Sequence, residues 1–224
     1  MKKKILSLMV IVFAMQALCT CAGKSGGQAY KQIYKGVVDE LTSAGDADMF
    51  ALIYVDKDDV PELAAVSSEG SWDKPQVFLY TTDGSKAELL ASDIAPGMEG
   101  HYIAYFEKEN LFIQSGSATG ESYVFYAIED SKPKQLLSAS CVYIMDDDGN
   151  ETESYTVDGE DVTPYVYITA LKGAIPSGGM TKLAETDGYE MVKYDVSLDN
   201  DYLELSEMER IPYSSYDEIV EILK

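Results

Sequence analysis

The chain has 224 residues, 46% of them hydrophobic, with 39 Asp and Glu against 17 Lys and Arg, a formal net charge of −22 at pH 7. That balance argues against nucleic acid and against anionic lipid surfaces, both of which need basic patches, and favours cations. The apolar share suffices for one core without staples. The single histidine, His101, removes most transition-metal sites and leaves any Ser-His-Asp hydrolase resting on one loop residue after Pro96-Gly97-Met98-Glu99-Gly100.

Met1–Lys4 give a basic start, and Ile5–Ala17 an apolar stretch too short to span a bilayer comfortably, the pattern of a signal peptide over residues 1–20. Leu18-Cys19-Thr20-Cys21-Ala22-Gly23 resembles a bacterial lipobox, with Leu18 three residues before Cys21 and small Thr20 just before it. Cys19 fits that pattern less well, because Gln16 would take the apolar position. The resemblance implies that Cys21 is the lipidated N-terminus of an extracytoplasmic lipoprotein, acylated with palmitate-like chains that anchor it to a membrane. Residues 21–29, with Lys24-Ser25-Gly26-Gly27-Gln28, then form a flexible tether. Removing residues 1–20, which hold three lysines and no acids, takes the net charge from −22 to −25. With Cys21 so used, Cys141 stands alone without a disulfide partner, in the strand-like run Ala139–Met145, where a small buried hydrophobe is expected.

From Tyr30 to Leu41, residues Tyr30, Ile33, Tyr34, Val37, Val38 and Leu41 fall on one helical face, and Ser43-Ala44-Gly45-Asp46 ends the helix. Phe50–Val55 has the length and composition of a buried strand, Asp56–Asp59 breaks it, and Pro61 opens a returning strand over Glu62–Val66. Alternating acids on such a turn can present several oxygens to one calcium ion. The stretch resembles the D-x-D-x-D-G-x-x-E-L calcium hairpin of integrin-type and related bacterial β-propeller repeats. Asp56 and Asp58 match that family's second and third acids, Val60 its carbonyl ligand and Glu62 its last carboxylate. Tyr54 stands where the first acid would be, and Asp59 where the glycine would be. The resemblance implies a calcium site at Asp56, Asp58, Val60 and Glu62; the residues alone also fit a solvated acidic turn.

Further strand pairs are expected at 76–81 with 86–91 about Asp83-Gly84, 102–106 with 110–115, 123–129 with 134–137, and 141–145 with 153–157 about Asp146-Asp147-Asp148-Gly149-Asn150. That last acidic turn lacks the distant Glu of an EF-hand and reads as a hairpin turn. Thr163-Pro164 caps a short helix to Lys172, and Ser215 with Glu218 forms a capping box before a terminal helix. Residues 181–194 give a mixed pattern, and 196–205 alternate acidic and apolar residues.

The fold class expected is mainly β (α+β): an antiparallel β meander of successive hairpins, propeller-like in one form, with an N-terminal helix and short C-terminal helices. Residues 30–224 form one β-rich domain with a C-terminal helical appendage from about 160. The arrangement resembles a broad group of secreted bacterial lipoproteins, which implies an extracytoplasmic setting and no particular activity. Two functions fit: a non-catalytic binding or scaffolding module for a protein or carbohydrate partner, with loop residue Trp72 as a contact; or a hydrolase acting on cell-wall or dietary polysaccharide through two carboxylates. An exposed apolar patch on the sheet would favour the first, a cleft with two facing acids the second.

Overall fold

The computed structural model describes residues 26–68, 76–93, 102–117, 120–145, 149, 151–176, 180–183, 191–199, 202–211 and 213–224. Helix α1 spans Gly26–Ala44. Its buried stripe is the predicted one, with Tyr34, Val38 and Leu41 at its centre. It begins inside the expected tether: once the stripe is held by packing, each preceding residue adds a helical bond at little cost. Gly45, at φ +68°, ends it.

Four antiparallel strands follow: β1 (Met49–Ile53), β2 (Glu62–Val66), β3 (Val77–Thr82) and β4 (Ala87–Asp93). The next five are β5 (Tyr102–Phe106), β6 (Leu111–Ser117), β7 (Gly120–Glu129), β8 (Lys132–Met145) and β9 (Glu151–Val157). The C-terminal part comprises β10 (Glu160–Val162), α2 (Pro164–Ala174), β11 (Met180–Lys182), β12 (Met191–Asp199), β13 (Tyr202–Ile211), β14 (Ser214–Ser215) and α3 (Tyr216–Ile222). The protein is mainly β with three helices among the described residues, as the turn chemistry predicts.

The strands form two antiparallel sheets, ordered β14-β1-β2-β3-β4 and β10-β9-β8-β7-β6-β5-β11-β12-β13. They stack face to face rather than as blades about an axis. Ala51, Ile53, Ala64, Val66 and Leu79 of the first sheet pack with Ile103, Tyr105 and Phe112 of the second. The outer face of the first sheet, including Phe50, Leu63 and Ala65, is covered by α1 and α3. The outer face of the second, including Phe106, Ile113, Phe125 and Cys141, is covered by α2 through Tyr167 and Leu171. The layers therefore run helices, sheet, sheet, helix. Central strands buried on both faces explain why 50–55 and 63–66 read as unbroken apolar runs.

Three expectations change. Residues 134–137 and 141–145 belong to one strand, β8, whose middle pairs with β7 at Ser138 and with both β7 and β9 at Ala139 and Ser140. Asp130 and Ser131, at φ 51° and 56°, make a two-residue hairpin turn, so Pro133 lies inside β8. The segment beyond 160 is not a purely helical appendage: β10–β13 join the second sheet, and β12 pairs with β13 from Met191↔Ile211 to Asp199↔Tyr202. Both caps form as predicted, with Val166 N donating to Thr163 Oγ1 at 3.4 Å and Ser215 N to Glu218 Oε2 at 2.8 Å.

Candidate functional site

The acidic turn between β1 and β2 ties the two sheets together at one end. Lys108 N donates to the Tyr54 carbonyl at 2.9 Å and Asn110 N to the Val55 carbonyl at 2.8 Å, which docks it on the β5–β6 turn. Asn110 also accepts from Ile128 N at 2.8 Å and donates to the Ile128 carbonyl at 3.1 Å. Lys108 Nζ sits 5.2 Å from the centre of the Tyr54 ring. Tyr54, in the place of the resembled motif's first acid, thus serves as a platform for a lysine.

Within the turn, Asp56 Oδ1 accepts from Asp58 N at 2.9 Å, and Asp58 Oδ1 accepts from Val60 N at 2.7 Å. These are successive Asx turns, in which each side chain stabilises the backbone two residues on. Glu62 points elsewhere. It is 1% exposed; its Oε2 accepts from Val55 N at 2.9 Å and its Oε1 from Thr81 Oγ1 at 3.3 Å. Burial pushes its pKa up to about 8, with the charges of Asp56 and Asp58 adding to the rise and the Val55 and Thr81 bonds opposing it. Asp58 is raised as well, chiefly by burial. The Tyr34 hydroxyl is buried beside Thr81; burial, then Glu62, raises its pKa and the Thr81 hydroxyl opposes the rise. At neutral pH Glu62 is therefore mostly a neutral carboxyl.

This geometry does not assemble the four expected calcium donors. Asp56 and Asp58 each spend one oxygen on the turn, and Glu62 faces the interior and holds its proton. Among the described residues no three of His, Cys, Asp and Glu stand close enough to share one metal ion. Calcium captured there through Glu62 has to displace the proton that burial keeps on it. The melting midpoint near pH 7 is therefore expected to be the same in calcium and in chelator. A rise in wild type that is absent in Asp58→Asn/Glu62→Gln would instead establish an ion site.

The far end of the second sheet carries a different feature. The β7–β8 pairing ends at Gly120↔Val142, whereas β8 and β9 remain paired out to Met145↔Glu151. Beyond Val142 the described sheet narrows to a two-stranded ribbon. Val142, Tyr143, Ile144 and Met145 are 36%, 39%, 49% and 68% exposed, and Glu151, Thr152 and Glu153 opposite them are exposed too. Successive side chains alternate faces, so the ribbon shows apolar groups on both. The sequence signal for it was present in Val-Tyr-Ile-Met beside an acidic turn, but that run reads equally as a buried strand. Cys141, one residue before the ribbon, is buried as expected.

Four of the surface cavities bear on a two-carboxylate site. Their linings include Asp93, no acid, Glu40 and Glu109 respectively, so none of these four brings two carboxylates together. No described helix is long and apolar enough to cross a membrane. Cys21, Trp72, His101 and the acids at 146–148 lie outside the described residues. No protein-family model, curated protein or solved structure matches the chain.

Proposed function

We propose that the protein is an extracytoplasmic, membrane-anchored lipoprotein acting as a non-catalytic binding or scaffolding module. The observation that carries the binding reading is the β8–β9 ribbon. Val142, Ile144 and Met145, exposed on β8 where its pairing with β7 has ended or is ending, are costly in water unless another surface covers them. Their acidic frame, Glu151 and Glu153 on the neighbouring strand, suits a partner with positive charge around an apolar centre. The hydrolase alternative needs two acids on one cavity, and the acid with the strongly raised pKa, Glu62, is sealed inside the fold.

The anchor in this reading is a lipid on Cys21, supported by the lipobox-like sequence before it. Metabolic labelling with a palmitate analogue is expected to mark the wild type and Cys19→Ser and to miss Cys21→Ser, which leaves the membrane fraction. A labelled Cys21→Ser protein overturns the anchor. For the ribbon, a photo-crosslinking residue at Ile144 should give one discrete adduct in intact cells, weakened by Met145→Asp. A folded protein that yields no adduct there removes the basis of the binding reading.

A further inference from the structure

We infer that the slot between the C-terminal half of α2 and strands β6–β8 is a binding site for an apolar chain ending in a positive charge. Its floor is Leu111 and Phe125, both buried in the second sheet. Its helix wall is Ala170, Gly173 and Ala174, which are too small to fill the space between helix and strands. The result is a cavity of about 400 Å³, within the size range of small-molecule sites. At Gly173 the opening is explicit: an added Cβ would meet nothing within 4 Å.

The sheet wall is built by an irregularity. In the β7–β8 ladder Phe125 faces Leu137 and Tyr126 faces Gln135, so Leu136 is the extra residue of a bulge. Bulges re-aim side chains and recur beside functional sites. Here the bulge leaves Leu136 51% exposed at the edge of an otherwise apolar slot. An apolar ligand seated there covers Leu136 and the floor at once.

The slot continues into a second cavity of about 290 Å³, which shares Leu111, Leu136, Gly173 and Ala174 and adds Glu109 and Asn110. This end is negative. The C-terminus of α2 lies at this end, with the Leu171 carbonyl taken by Ile175 N and Lys172 in the last turn offsetting part of the helix dipole. Glu109 adds a carboxylate, and Asn110 has already committed its side chain to Ile128. No lysine or arginine lines either cavity. Lys57, 3.6 Å from Glu109, is 74% exposed, and a pair so open to water holds weakly and yields to a competing cation. An anionic head group would meet the Glu109 carboxylate, whereas an alkylammonium meets complementary charge, in keeping with a chain of net charge −22.

The assignment goes beyond the binding reading above, which places contact on the ribbon, and the two fail separately. The test uses the chain without residues 1–21, none of which belongs to a described element. Octylammonium, titrated below its micelle concentration, should give saturable NMR shifts at Leu111, Leu136 and Ala174. Octanoate should bind about ten-fold or more weaker. Gly173→Leu fills the slot from an open position and should lose about ten-fold in octylammonium affinity while melting no lower than wild type, since leucine is the better helix former. Glu109→Gln should weaken octylammonium and leave octanol unchanged. Absence of saturable binding, equal binding of octylammonium and octanoate, or full affinity in Gly173→Leu overturns the assignment.

Discussion

Replacing Glu62 with glutamine is expected to stabilise the protein at alkaline pH, by an amount that shrinks as the pH falls. The carboxyl titrates near 4.5 when the chain is unfolded, and burial raises it to about 8 in the fold. Between those values the folded state holds a proton that the unfolded state has released, so stability falls as pH rises. The contribution is fully present below about pH 4.5 and lost above about pH 8. At about 1.4 kcal/mol per pKa unit, the span corresponds to about 4–5 kcal/mol for this one group. Glutamine has the shape of the protonated acid and does not titrate. Its carbonyl can accept from Val55 N, and its amide can donate to Thr81 Oγ1.

The comparison must be a difference of differences, because the remaining acids titrate in both proteins. Urea unfolding of wild type and Glu62→Gln at pH 5 and pH 9 supplies it. The variant should be within about 1 kcal/mol of wild type at pH 5 and several kcal/mol more stable at pH 9. A gap that does not change with pH would show that Glu62 is ionised in the fold at both values, and would reopen the hairpin to a bound cation.

That residue also shows where sequence and structure part. Pro61-Glu62-Leu63 after alternating aspartates has the pattern of an ion ligand set, and pattern alone cannot say which way a side chain turns. The direction is fixed by distant partners: Val55 N across the turn, Thr81 on the next strand, and the helix layer that brings Tyr34 over the sheet. Locally encoded features were legible. Asp83 accepts from Ser85 N, Ser85 Oγ and Lys86 N, which holds its pKa down to about 2, and Gly84 at φ +84° completes the predicted turn. Thr163-Pro164 and Ser215 with Glu218 likewise act within a few residues of themselves. The continuity of β8 was not legible, because Ser138-Ala139-Ser140 is polar enough to pass for a break and is held by strands on both sides. The pairing of β12 with β13 was legible only in part, since 196–205 shows the two-residue alternation but 191–194 lies in a mixed pattern; the stacking of the two sheets is encoded by no single segment.

Gly120→Ala is expected to loosen the root of the ribbon. Gly120 has φ +155°, and an added Cβ would lie 2.8 Å from Val142 Cα and closer still to the Cys141 carbonyl oxygen. These are backbone atoms, so no side chain can rotate away; the start of β7 must move off β8. The strain and the lost pairs Gly120↔Val142 and Glu121↔Cys141 together should cost about 2–4 kcal/mol. Because the position is a strand end, the cost is capped by fraying: the remaining β7–β8 pairs, from Ser122↔Ser140 onward, can persist. Cys141 reports the event. It is 1% exposed in the second core, and in a chain without residues 1–21 it is the sole thiol. Its alkylation should be slow in wild type and at least about ten-fold faster in Gly120→Ala, in step with the fall in the unfolding midpoint. A less stable variant whose Cys141 stays as protected as in wild type would place the damage elsewhere and refute the close approach of β7 to β8. If both measurements move together, the ribbon's exposed apolar strand is held in place by the one residue type that lets β7 lie against the β8 backbone at Cys141 and Val142.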